Sequence, residues 1–216
     1  MGIDSNNEII IDPNCAIGIL EELKKKYPDY NVTATFFVNS SLFNQPEYNE
    51  KILKWLVNHG YDIGNHSATH ADFTKIDTNL TNYEIGSIYE KLDEIIPNQY
   101  VNIVALPFGS PYKINHPNFS HILNSTYNGK NYFTKSTLRV GWESDYSPFS
   151  NDFDRTFIKR IRAYDNNGIE FDISANFYNL ENTRYISDGN KETIVIKESD
   201  LHKIKNSYNF EVITYQ

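Results

Sequence analysis

The sequence predicts an α/β fold in which parallel strands are joined by helical crossovers into a sheet or barrel. Three observations point there. Apolar residues recur at helical spacing in three separate stretches. Short apolar runs rich in β-branched and aromatic residues follow each of them. The order up to Leu106 is helix, strand, helix, strand, helix, strand, and that alternation requires parallel strands with crossovers.

The first predicted helix runs from about Asn14 to Tyr27, with Ile17, Leu20 and Leu23 on one face, Asp12-Pro13 at its start and Pro28 after its end. Cys15 falls on the apolar side and reads as a small core residue. Thr33 to Val38 reads as a buried strand. A second helix is expected from about Glu47 to His59, where Ile52, Leu53, Leu56 and Val57 share a face and Gly60 is the stop. Tyr61 to Gly64 reads as a short strand, Asn79 to Ile95 as a third helix and Val101 to Leu106 as a further buried strand. Beyond Pro107 the pattern weakens. Strands are expected near Tyr132 to Val140, at Thr193 to Ile196 and at Phe210 to Tyr215, with helices around Asp154 to Ala163 and Glu198 to Lys205.

The chain has 216 residues, 39% of them apolar, with no repeat and no low-complexity linker, so residues 1–216 are read as a single domain. No stretch approaches the roughly 18 consecutive apolar residues of a membrane span. The first residues lack the basic start and apolar run of a secretory signal. The net charge of -8 argues against nucleic acid or an anionic membrane as partner, and Lys24-Lys25-Lys26 is explained by a helix end, where cations complement the dipole. One cysteine allows neither an intrachain disulfide nor a cysteine zinc knuckle. The abundance of Asn, Ile, Lys and Tyr is what an AT-rich bacterial genome produces, so the sixteen tyrosines alone do not argue for a sugar-stacking surface.

In α/β proteins function gathers at the C-terminal ends of strands. Two unusual segments follow predicted strands directly: Gly64-Asn65-His66-Ser67-Ala68-Thr69-His70 and Ala105-Leu106-Pro107-Phe108-Gly109. Histidines four apart can face one metal ion, and imidazole suits zinc. The spacing alone is weak, because a loop whose histidines bond to backbone and solvent has the same sequence. Two histidines also fall short of the three protein ligands usual at catalytic zinc.

Ala34-Thr35-Phe36-Phe37-Val38 together with Gly60-Tyr61-Asp62-Ile63-Gly64-Asn65-His66-Ser67-Ala68-Thr69-His70 resembles the polysaccharide deacetylase family (the NodB-homology fold, carbohydrate esterase family 4). The resemblance covers about Ala16 to Gly109 well and the rest loosely. It implies a distorted (β/α) barrel and metal-dependent removal of N-acetyl groups from an amino-sugar polymer, peptidoglycan or chitin-like, with a divalent metal, most commonly zinc. It also implies an extracellular or cell-envelope setting. His66 and His70 would be the metal ligands, and Ser67 would tie down their loop through hydrogen bonds. Pro107, Phe108 and Gly109 match the family's third motif and would form a groove wall, with Ala105 where that motif has arginine. Trp142 is a counterpart for the groove tryptophan, although a core tryptophan fits it nearly as well.

Two departures matter. The family's first motif, a strand ending in paired aspartates that supply the base and the third ligand, has no match before Asn14, and no Asp-Asp pair occurs in the chain. The domain is therefore expected to be N-terminally incomplete, lacking its first strand and leaving an open sheet edge for self-association; Asp4 and Asp12 are poor substitutes. The fifth motif, a strand ending Leu-x-His, is also missing, and His202 is only a weak candidate for the acid. The alternative reading is a catalytically impaired relative that serves as a carbohydrate-binding or structural module.

Overall fold

The computed structural model describes residues 1–141, 143–167, 169, 172–181, 184–205 and 209–216. Two compact units divide the chain, Met1–Lys135 and Ser136–Gln216.

The first unit opens with a two-residue antiparallel hairpin, β1 (Gly2–Ile3) and β2 (Ile9–Ile10). Asp4 and Asp12 serve local turns here. The Asp4 carboxylate accepts from the N–H groups of Asn6 and Glu8, and that of Asp12 from Asn14. Helix α1 (Ala16–Lys26) begins two residues later than the periodicity suggests, because Cys15 is its N-cap: the sulfur accepts from Gly18 N–H at 3.4 Å. Cys15 is half-buried and packs against the core while it caps the helix, so the sequence reading holds in part.

Strands β3 (Thr35–Val38), β4 (Asp62–Asn65) and β5 (Ile103–Ala105) are parallel neighbours in that order. Their crossovers are α2 (Asn49–Asn58) and α3 (Thr78–Ile95). The α/β alternation is therefore present as expected. Ile52, Leu53 and Leu56 of α2, Ile63 of β4, and Ile88 and Leu92 of α3 are all within 1% of complete burial and form the core with Val38 and Ile17. Each such side chain contributes roughly 1.5–3 kcal/mol of burial free energy. Gly64 is required in β4, because a Cβ there would stand 2.5 Å from the Phe37 ring. β3 is less buried than its apolar sequence suggests: of its four residues only Val38 is buried. Its position explains this, since β3 is the outermost strand of the three.

The rest of this unit was not legible in advance. Helix α4 (Pro117–Leu123) leads into a hairpin of β6 (Asn124–Tyr127) and β7 (Lys130–Phe133). Asn128 and Gly129 turn it with φ of 48° and 74°, the left-handed pair that suits a two-residue hairpin loop. β6 lies close on α3 because Gly86 leaves room for Tyr127, whose Cβ would be 2.3 Å from a Cβ at position 86. The strand expected near Tyr132 to Val140 is thus broken after Phe133.

In the second unit β8 (Ser136–Val140) pairs in parallel with β9 (Phe157–Arg160). The helix expected at Asp154 to Ala163 is therefore a strand. Thr156-Phe157-Ile158 suits either periodicity, and pairing with β8 decides. Helix α5 (Ile173–Leu180) follows, capped by Asp172, whose Oδ1 accepts from Ala175 N–H at 2.6 Å. β10 (Thr193–Lys197) and β11 (Glu211–Tyr215) pair in parallel. Between them the helix expected at Glu198 to Lys205 is a short 3-10 segment, Glu198–Lys203. Among the described residues no helix is long and apolar enough to cross a membrane.

Candidate functional site

The C-terminal ends of β3, β4 and β5 carry three loops with unusual backbone. Non-glycine residues in the left-handed region cost energy and tend to persist where function needs them. Apart from asparagines, which tolerate that region, four described residues occupy it: Leu42, Ser67, His70 and Phe108, with φ of 51°, 62°, 61° and 57°. All four lie in the loops that leave these strands.

His66 and His70 come together in the β4 loop. Their ring centres are 4.8 Å apart and their planes nearly perpendicular, at 81°. Two imidazoles bound to one zinc at about 2.1 Å each would set ring centres roughly 5 Å apart. His66 is half-buried and His70 exposed. The Nδ1 of His66 lies 2.7 Å from the Ala105 carbonyl oxygen. A carbonyl only accepts, so Nδ1 carries the proton, and in the neutral ring Nε2 keeps its lone pair. Metal-binding histidines are oriented in this way by a backbone acceptor. The replacement of the third motif's arginine by Ala105 does not affect this contact, which uses only main chain.

The loop is held from three sides. His66 N–H donates to Val38 O at 2.8 Å. Asn65, fully buried, donates from Nδ2 to Ile85 O and accepts from Ser67 N–H. The two carboxylate oxygens of Glu84 on α3 take the N–H and the hydroxyl of Thr69, at 2.8 and 2.6 Å. Ser40, in the β3 loop, donates through its N–H and hydroxyl to Ala68 O. Ser67 does not act as expected. Its hydroxyl is buried with no partner among the described residues, and the side-chain ties of the loop are made by Asn65 and Glu84. Sequence reasoning missed Glu84, although a signal was present: it is a charged residue in line with Thr81 and Ile88 on the face of α3 that turns inward.

Pro107–Gly109 form a 3-10 turn after β5, with Gly109 N–H bonded to Leu106 O and Ser110 N–H to Pro107 O. Pro107 and Gly109 are buried, while Phe108 is 57% exposed and stands edge-on to His70, with ring centres 4.7 Å apart. An aromatic ring is thus presented to solvent beside the histidine pair. Trp142 lies outside the described residues. His202 is exposed on the 3-10 segment of the second unit, where its carbonyl accepts from Asn151 Nδ2. The remaining histidines have local tasks: His59 stacks on Trp55, His116 caps α4 and His121 meets Asn82.

A metal ion is implied by the resemblance, and the two imidazoles fit one in separation and tautomer. The donor set is nevertheless incomplete, since no cluster of three or more His, Cys, Asp or Glu that could hold a metal occurs among the described residues. Asp4 and Asp12 accordingly do not complete it.

Residues 19–121 match the family described as polysaccharide deacetylase. The match takes in just under half of the chain. The polysaccharide deacetylase match lies wholly within the first unit and contains both histidines and the Pro107–Gly109 turn. Solved structures also align with the chain. A T48 deacetylase with substrate does so at 18% identity, over 57% of this chain and 53% of that one, with a TM-score of 0.40. Peptidoglycan deacetylase PdaC from Bacillus subtilis aligns at 22% identity, over 52% and 57%, with a TM-score of 0.38. Streptococcus pyogenes deacetylase PplD in complex with acetate aligns at 17%, over 49% and 46%, with a TM-score of 0.39. The chain spans about half the length of these structures.

Proposed function

We propose that this chain takes part in metal-dependent hydrolysis of N-acetyl groups on an amino-sugar polymer, with His66 and His70 as metal donors. The observation that carries the reading is the pairing of the two rings, 4.8 Å apart, with the His66 ring held by its Nδ1 bond to Ala105 O. A divalent ion, zinc by donor type, would supply Lewis acidity toward the amide carbonyl and lower the pKa of water. The chain's own part is positional. Glu84, Asn65 and Ser40 fix the loop so that the imidazoles need not reorganise on binding. Phe108 offers an exposed apolar ring against which an acetyl group or sugar face can rest, and buried Pro107 and Gly109 hold it there. The third donor and the proton-accepting base have to come from groups not assembled among the described residues. Acetate release from N-acetylglucosamine oligomers in the presence of zinc tests the reading. Release that disappears in His66→Ala supports it; equal release by wild type and His66→Ala contradicts it.

The incomplete donor set favours a second reading, a relative that binds the glycan without hydrolysing it. It calls for oligomer binding by calorimetry with no acetate produced at any zinc concentration.

A further inference from the structure

A second recess lies on the first unit, away from Phe108. It is a cavity of about 220 Å³ lined by Ser40, Tyr83, Ser87, Ile88, Glu90, Lys91, Glu94 and Tyr127, smaller than the roughly 300–1,000 Å³ of sites that enclose drug-sized molecules, and so suited to one ring. Tyr83 and Tyr127 meet edge to face at 5.8 Å, and Tyr83 is 39% exposed, which gives an aromatic surface for the apolar face of a sugar. Ser87 also lines the cavity, and its hydroxyl has no hydrogen-bond partner among the described residues.

Charge narrows the ligand. Lys91 is engaged, its Nζ donating to Ser40 O at 2.7 Å, and Glu90 accepts from Asn128 Nδ2. Glu94 has no partner among the described residues and is exposed. Two carboxylates against one ammonium leave the recess net negative, so an anionic ligand is disfavoured and an ammonium is welcomed. Ser40 also joins this recess to the histidine loop: its carbonyl takes Lys91, while its N–H and hydroxyl reach Ala68 O, between His66 and His70.

We infer that this recess binds an amino-sugar unit carrying a free ammonium, the product class of the reaction proposed above, with Tyr83 beneath the ring and Glu94 on the ammonium. The choice of sugar rests on that reading; the cavity and its charge do not. Backbone amide NMR on the full chain, titrated with a glucosamine trimer and separately with an N-acetylglucosamine trimer, tests it. The glucosamine trimer is expected to shift resonances of residues 83–94 and 127 and to bind about tenfold more weakly to Glu94→Gln, the loss of one charge-assisted hydrogen bond. Tyr83→Ala should weaken both trimers. Both side chains are exposed, and a dispersed spectrum confirms that each variant is folded. Shifts confined to residues 66–70 and 105–109, or equal affinity of wild type and Glu94→Gln for the glucosamine trimer, would overturn the inference. Cavity binding without acetate release would leave it standing while contradicting the hydrolytic reading. Acetate release with no shifts at the cavity would do the reverse.

Discussion

Glu84 is the residue on which the geometry of His70 most depends, because its carboxylate alone accepts from Thr69, the neighbour of that histidine. Glu84→Ala removes the acceptor of two part-buried hydrogen bonds from Thr69, each of which contributes about 1 kcal/mol. Urea denaturation should show that loss, and zinc affinity should fall about tenfold through the loosened ligand. Phe108 makes the opposite prediction. Its backbone sits at φ 57°, which glycine adopts without cost and phenylalanine does not, so Phe108→Gly should raise stability by about 1 kcal/mol. The same change removes the exposed ring beside His70 and should weaken oligomer binding. A thermal melt and a binding titration on one sample measure both effects. The histidine pair itself was legible because strand end, spacing and the Pro107–Gly109 turn all appear in the primary structure. The roles of Glu84 and Asn65 were not, since each depends on which helix packs over the loop.

Among the elements, α1 is tied to the residue that leads into β4, Tyr61 OH donating to Glu21 Oε1 at 2.5 Å. Burial raises the Glu21 carboxyl, but hydrogen bonds from Tyr61 and Lys24 outweigh it and hold the group below its ordinary 4.5. The resulting stability is complete above that value and is lost as pH falls through the lower folded one. Burial, aided by the Glu21 hydrogen bond, pushes the Tyr61 phenol above its ordinary 10.0. That contribution is intact below 10.0 and is lost as pH rises into the folded range. Tyr61→Phe should therefore cost about 1 kcal/mol near neutral pH, with the difference from wild type shrinking under acid conditions in denaturant curves taken across pH. At the β6–β7 turn, Gly129 has φ 74°, and Gly129→Ala should destabilise by about 1 kcal/mol on the same assay. Neither that turn nor, further along, β9 was read from the sequence. The residues of β9 fit helix or strand, and the decision came from a partner strand about twenty positions earlier in the chain.

At the scale of the whole chain, legibility follows architecture. Through Ala105 the crossover pattern writes itself into alternating periodicities, and most of the polysaccharide deacetylase match falls in that stretch. Beyond it, short strands, hairpins and 3-10 segments leave no sustained period to read. The distribution of charge acts at this scale as well. With a net charge of -8, the molecule attracts cations over a distance that salt shortens to about 8 Å at physiological ionic strength. Zinc binding at His66 and His70 is the measurement that bears most directly on how the first unit works. Calorimetric titration of the metal-free chain is predicted to give one zinc per chain, with affinity falling at least tenfold in His66→Ala and again in His70→Ala. Zinc uptake of the same affinity and stoichiometry in wild type and both variants would contradict it.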